Sequence, residues 1–210
     1  MINARTDLLN ALPIQLEETS FRLTDDEMSV ITNNEYYHAK SNNLTRTSFL
    51  LKDTRLSRVK NFLDERMKNY TENVVEVEDK FKLTQSWSTI TKKGERHHIH
   101  NHPNSIFSLV FYVNSDSGNL VFNLDSRLRE KYDFSFRVKK WNSFNSFSWE
   151  YTVQTGNLVI FPAWMYHDTK PNVSETDRII IGANYFIEGI LGTTRGVDKI
   201  DIQLGDLEDD

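Results

Sequence analysis

The chain contains no cysteine. That absence removes disulfide frameworks, thiolate nucleophiles, cysteine-ligated zinc and iron–sulfur clusters together, so any metal must be held by His, Asp or Glu. Also missing is any run near the roughly 20 apolar residues that a membrane helix needs, and a membrane role is not expected. The first twenty residues carry acidic groups and show neither an uninterrupted apolar stretch nor a small-residue cleavage site, which makes a cytoplasmic location the expectation. Glycine (8) and proline (4) are sparse among the 210 residues, and no repeat, low-complexity tract or Gly/Ser/Pro-rich linker divides them. One folding unit spanning 1–210 is the simplest organisation. Basic residues are not in excess: the net charge is −5, which offers no global attraction for phosphate backbones, so nucleic acid is not an expected partner.

What is present is the balance of an ordinary globular protein, 38% hydrophobic and 26% charged. In the lead-in, residues 1–82, Thr24 followed by acidic residues predicts a capped helix start. From Asp53 to Tyr70 the apolar residues Leu56, Val59, Phe62 or Leu63, Met67 and Tyr70 recur at helical spacing, with Asp53 or Thr54 as N-cap. After about residue 83 the period changes. LTQSWSTI, FSLVFYV, NLVFNL, NLVIF and RIIIGANYF are short, rich in β-branched and aromatic residues, and separated by polar turns. No helical crossover separates them, which favours a sandwich or jelly roll over 83–190, followed by a tail over 191–210. Asn114 to Asn119 reads as a hairpin turn. The aromatic and basic segment 125–149 reads as a long insertion near the site, where it would influence the choice of substrate.

Five of the six histidines fall in two places, His97, His98, His100 and His102 in ERHHIHNHPNS and His167 in FPAWMYHD. In an extended chain His98, His100 and His102 share one face, so two imidazoles can converge on one ion, while His97 has the opposite parity and is expected to be exposed. Imidazole suits iron, zinc, copper and nickel alike, so the cluster names a class of metal. The plain rival is a solvated histidine-rich loop. His167 follows an apolar strand ending at Pro162, and Arg178 opens another, where a buried cation would need a carboxylate partner.

The pattern running from Trp87 through HNHPNSIFSLVFYV, GNLVF, GNLVIFPAWMYHDTKPN and RIIIGANYF resembles the small 2-oxoglutarate- and iron(II)-dependent oxygenases, prolyl-hydroxylase-like and frequent in phages and bacteria. In a phage the expected location would be the host cytoplasm. The resemblance covers residues 85–187. It implies a mainly β (α+β) protein with a double-stranded β-helix core of the jelly-roll or cupin kind and N-terminal supporting helices. It further implies an oxygenase that uses Fe(II), 2-oxoglutarate and dioxygen to hydroxylate an unidentified small-molecule or protein substrate. Carried over position by position, His100, His102 and His167 become the metal ligands and catalytic centre, and Arg178 the partner of the far carboxylate of 2-oxoglutarate.

Two departures accompany the resemblance. The wider superfamily uses two histidines and a carboxylate, whereas the second position here is His102. Asp168 and Asp125 are conceivable carboxylates outside the matched position, and His98 is a rival to His102. Second, the polar residue often found two after the arginine is Ile180. Tyr112, Ser108 and Asn104 are the candidates to assist Arg178, and Asn184 matches the end of the pattern. Against these stand plainer readings: Tyr112 as a barrel-lining aromatic, Trp87 and Trp164 as packing residues, Asn104 and Ser105 as the turn after Pro103. Two functional rivals follow, a three-histidine cupin-like dioxygenase that does not use 2-oxoglutarate, and a non-catalytic jelly-roll module that binds metal or serves a structural role.

Overall fold

The computed structural model describes residues 13–123, 137–142, 145–192 and 198–206. Two antiparallel sheets face each other. The larger has the order β1 (Gln15–Glu18), β8 (Asn157–Pro162), β5 (Phe107–Asn114), β10 (Arg178–Leu191), β4 (Lys80–Thr91), β3 (Asn42–Thr45), β2 (Tyr36–Ala39), with β11 (Ile200–Ile202) paired to the end of β10. The smaller has the order β7 (Ser148–Tyr151), β6 (Leu120–Asn123), β9 (Tyr166–Thr169). This is the expected jelly roll. The lead-in is less helical than expected, because β1, β2 and β3 all come from it and extend the larger sheet at both edges.

Both faces of the larger sheet are covered, which explains why β5 and β8 read as continuous apolar runs and not as alternating ones. Leu109, Phe111, Ile181, Ala183 and Ile160 point to the helical side and pack with Val59, Leu63, Met67 and Tyr70 of α2 (Ser57–Asn73). Val110, Tyr112, Val159, Phe161 and Ile180 point the other way and pack with Leu120 and Phe122 of the smaller sheet. The functional pocket lies in this second layer.

The helices follow local chemistry. α1 (Asp25–Thr32) begins with a reciprocal capping box, Glu27 N–H donating to the Thr24 hydroxyl and Thr24 N–H to the Glu27 carboxylate. The same carboxylate accepts two hydrogen bonds from Arg58 of α2, so one cap also joins the two helices. The second helix differs from the expectation of Asp53–Tyr70. Two 3-10 turns, Leu50–Lys52 and Thr54–Leu56, precede it, and the Asp53 side chain caps the second of these turns by accepting from Arg55 N–H. The apolar spacing alone does not separate a tight 3-10 turn from the first turn of an α-helix.

Asn114–Asn119 is not a hairpin turn. β5 and β6 belong to different sheets, and the segment carries the chain across the gap between them. Gly118 has φ +82, and a Cβ there would lie 1.7 Å from Arg178 Nη1. The backbone must pass this close to the guanidinium, and only glycine permits it.

Gly182 sits opposite Trp87 in the β4–β10 pairing, where a Cβ would fall 2.5 Å from the indole ring. Gly182→Ala should therefore cost about 1–3 kcal/mol, the usual range for overpacking, read as a lower urea midpoint. Combined with Trp87→Leu, the loss should be smaller than the sum of the two single changes. An unchanged midpoint for Gly182→Ala would show that the indole is free to move away.

Candidate metal centre and pocket

After β4 the chain turns back and runs in extended form beside β9. His97 N–H donates to the Thr169 hydroxyl, His100 and His167 exchange both backbone hydrogen bonds (3.0 and 2.8 Å), and His102 N–H donates to the Ala163 carbonyl. Backbone pairing, more than strand propensity, brings the two histidine segments together. The ligand nitrogens of His100, His102 and His167 all lie within 4.8 Å of one another. His102 and His167 are buried, at 8% and 3% exposure.

Each imidazole is fixed through Nδ1. His100 Nδ1 meets the His98 carbonyl at 2.8 Å and His167 Nδ1 meets the Met165 carbonyl at 2.9 Å. A carbonyl only accepts, so both Nδ1 atoms carry the proton and both Nε2 atoms keep a free lone pair. His102 Nδ1 lies 2.7 Å from the Ser108 hydroxyl, which donates to Asn184 Oδ1, while the Asn184 amide donates to Gln85. Because the serine proton is spent on Asn184, His102 Nδ1 must donate to the serine oxygen. His102 Nε2 is then a buried nitrogen with no hydrogen-bond partner. Such an atom is costly unless something coordinates it, and the donor set fits a divalent transition metal.

The pocket beyond these histidines is formed by the inner face of the larger sheet. Pairing of β10 with β4 sets Arg178 beside Thr91, Ile180 beside Thr89 and Gly182 beside Trp87, and pairing with β5 sets Ile180 beside Tyr112. Thr89, Thr91, Tyr112, Thr169, Ile180 and Arg178 line the pocket together with the three imidazoles. Arg178 is 3% exposed. Its Nη1 donates to the Gly118 carbonyl at 2.7 Å and more distantly to the carbonyls of Ser117 and Lys170, and its Nη2 donates to the Thr169 hydroxyl at 2.8 Å. Among the described residues no carboxylate pairs with it, and carbonyl dipoles hold the guanidinium in place.

The remaining candidates separate by position. Ser108 and Asn184 stand behind His102 and orient it. Tyr112 is buried and lines the pocket, as both of its readings allowed. Asn104 is exposed, in a left-handed turn after Pro103, away from the pocket lining. His98 lies outside the buried trio and groups with His97 and His100. His97, expected to be exposed, is half-buried: its ring stacks on His100 at 4.3 Å and its Nδ1 faces the Asn42 amide. The chain here is not regular strand, so parity failed three residues before the bridge at His100. Asp168 follows His167 on β9, alternates away from the pocket and accepts from Asn123. Asp125, with residues 125–136 and 143–144 of the 125–149 segment, lies outside the described residues. Thr89, Thr91 and Thr169 were missed as pocket residues; the alternation Trp87, Thr89, Thr91 on β4 was the available signal.

Burial keeps these imidazoles neutral. Desolvation pushes His102 down to about 3 and His97 to about 2, lowers His167 well below the ordinary histidine value, and lowers His100 more modestly. In the unfolded chain they titrate near about 6.5, so below that pH the unfolded state takes up protons that the folded state refuses. Stability is thus full above about pH 7 and falls as the pH drops through 6.5 toward the folded values. The chelator-treated protein should melt at a lower temperature at pH 5.5 than at pH 7.5, a window in which ordinary carboxylates stay ionised. A flat profile would show the histidines to be solvated. Ser108→Ala should weaken metal binding by about 10- to 100-fold, as loss of a partner behind a ligand typically does, measured by competition with a chromophoric chelator.

Residues 85–184 match the profile of the family described as Putative 2OG-Fe(II) oxygenase, 2OG being 2-oxoglutarate. No curated protein sequence matches the chain. Among solved structures it is similar to HygX from Streptomyces hygroscopicus with nickel, 2-oxoglutarate and hygromycin B bound, at 13% identity and TM-score 0.57 over 82% of each chain. It is also similar to a prolyl hydroxylase from Trichoplax adhaerens in complex with a peptide of hypoxia inducible factor, at 10% identity and TM-score 0.55, covering 82% of this chain and 83% of that one. A 2OG-Fe(II) oxygenase family oxidoreductase from Burkholderia pseudomallei gives 11% identity and TM-score 0.55 over 75% and 74%. Identities this low speak for the fold. The likeness to the 2OG-Fe(II) oxygenase family rests on the profile match over residues 85–184, which spans the buried trio, Arg178 and the relay behind His102.

Proposed function

We propose that the protein is a 2-oxoglutarate-dependent iron(II) oxygenase that hydroxylates a C–H bond of a small molecule or a peptide, with His100, His102 and His167 as metal ligands and Arg178 as the anchor of the co-substrate. The carrying observation is the make-up of the pocket, which is lined both by three imidazoles whose Nε2 lone pairs are free and by a buried guanidinium that has no acidic partner among the described residues. A dicarboxylate with a chelating keto group is the kind of molecule that satisfies both. Iron(II) with 2-oxoglutarate supplies dioxygen activation, the keto acid ending as succinate and carbon dioxide while the substrate gains one oxygen atom.

The chain's own residues do the rest. Three neutral imidazoles leave the metal's double positive charge intact, so an anionic chelate is favoured there more strongly than in a site that already contains a carboxylate. Arg178 keeps two directions of N–H donation in a rigid plane, suited to a carboxylate. Thr91 and Thr169, beside it, take the place of the polar residue absent at Ile180. Val110, Leu120 and Ile180 keep that part of the pocket apolar, which excludes water and strengthens the charge pairing. A second cleft, lined by Tyr37, Leu44, Arg46 and Trp87, opens onto the histidines from the side of β2 and β3 and gives the substrate its approach.

Anaerobic addition of iron(II) and 2-oxoglutarate should give the weak visible charge-transfer band of the chelate, and His167→Ala should abolish it. Arg178→Gln should raise the 2-oxoglutarate concentration required by roughly 10- to 100-fold, the worth of about 1.5–3 kcal/mol in hydrogen bonds to a charged group. Tight iron binding with no band, and no response to Arg178→Gln, would favour a three-histidine dioxygenase that binds its substrate directly.

A further inference from the structure

We infer that His97, His98 and His100 form an outer capture site through which the metal reaches the inner trio, an inference that rests on the proposed metal centre. Their ligand nitrogens all lie within 4.8 Å of one another, as do those of the inner trio, and His100 belongs to both groups. The two trios therefore adjoin through one shared imidazole. Their surroundings differ. His167 belongs to the inner pocket alone, whereas His98 belongs to the cleft on the β2–β3 side alone, with His97, His100 and His102 lining both. An ion arriving by that cleft meets His98 before His167.

Two features favour a passing ion over a resident one. His98 Nδ1 is a buried nitrogen without a hydrogen-bond partner, free to ligate at no loss of an existing bond. The Lys40 ammonium lies close enough to bear on His98, and a neighbouring cation weakens the hold on a second positive charge. His102 and His167 of the inner site are more deeply buried than His97 and His98. Both sites cannot hold full ligand sets at once, because His100 keeps its Nδ1 on the His98 carbonyl and has one lone pair to give. The ion exchanges His97 and His98 for His102 and His167 while its bond to His100 persists, so it is never wholly stripped of protein ligands during transfer.

The test is the kinetics of cobalt(II) binding to chelator-treated protein, followed by the ligand-field absorbance in rapid mixing, with release measured by excess chelator. A residue on the path changes both rates by the same factor and leaves the equilibrium alone; a ligand of the resident ion changes the equilibrium. His98→Ala should slow both association and release by about tenfold or more, at the lower end of what losing a metal partner costs, with Kd unchanged within about twofold. Unchanged rates would overturn the capture site. A raised Kd caused by faster release would also overturn it, by making His98 a ligand of the resident ion. His98→Asn should fall between Ala and His in rate, and equal melting temperatures of the metal-free proteins show that the fold is kept. If the unaltered protein binds no cobalt at all, the metal centre itself is wrong, a result distinct from either outcome at His98.

Discussion

The register between β4 and β10 is the constraint on which the site depends. One residue of slip would send Arg178, Ile180 and Asn184 into the helix-facing core and bring Ile179, Ile181 and Ala183 into the pocket, since side chains alternate strictly along a strand. Arg178 would then be buried among aliphatic side chains without the carbonyls of the Ser117–Gly118 turn. The register is held from both sides. Outside, Tyr185 donates its hydroxyl to Asp64 of α2. Inside, the bare Cα of Gly182 accepts the Trp87 indole, and that ring in turn packs edge-on against His102 at 5.2 Å. Packing, register and the orientation of a ligand are thus one connected arrangement.

Among the described residues, none of those lining the pocket is acidic. The three imidazoles are kept neutral by burial, and their protons are committed to the carbonyls of His98 and Met165 and to the Ser108 oxygen. Arg178 is surrounded by carbonyl dipoles, which stabilise its charge without cancelling it. Desolvation lowers its proton affinity, with only the Tyr112 phenol acting in the opposite sense. With a divalent metal on the histidines, the described residues of this cavity would carry a net positive charge in low dielectric, which favours an anion. The three-histidine departure and the missing acidic partner of Arg178 have the same consequence.

The cross-sheet turn and the histidine loop show where pattern reading fails. Asn114–Asn119 carries every local mark of a hairpin, yet whether two successive strands pair or lie in opposite sheets depends on what closes above them, here the contact of Gly118 with Arg178. Parity assigns His97 outward, but parity holds only within continuous strand, and the loop is tied to β9 by Thr169 and His167 and to Ala163 just after β8. Ser108 and Asn184 were visible as polar residues in apolar strands. Their role as a relay behind His102 needed the alignment of β5 with β10, which sets them opposite each other.

The sequence by itself determined the β-rich architecture, the change of period near residue 83, the capped start of α1 and the gathering of histidines in two segments, 97–102 and at 167, because these depend on periodicity, side-chain chemistry and the spacing of motifs. Tertiary structure alone decided that the lead-in supplies three strands, that His102 and not His98 joins the buried trio, which nitrogen of each imidazole is left free, and that carbonyls surround the buried arginine. These depend on hydrogen bonds and desolvation between residues tens of positions apart, and no local pattern encodes which distant group will stand opposite.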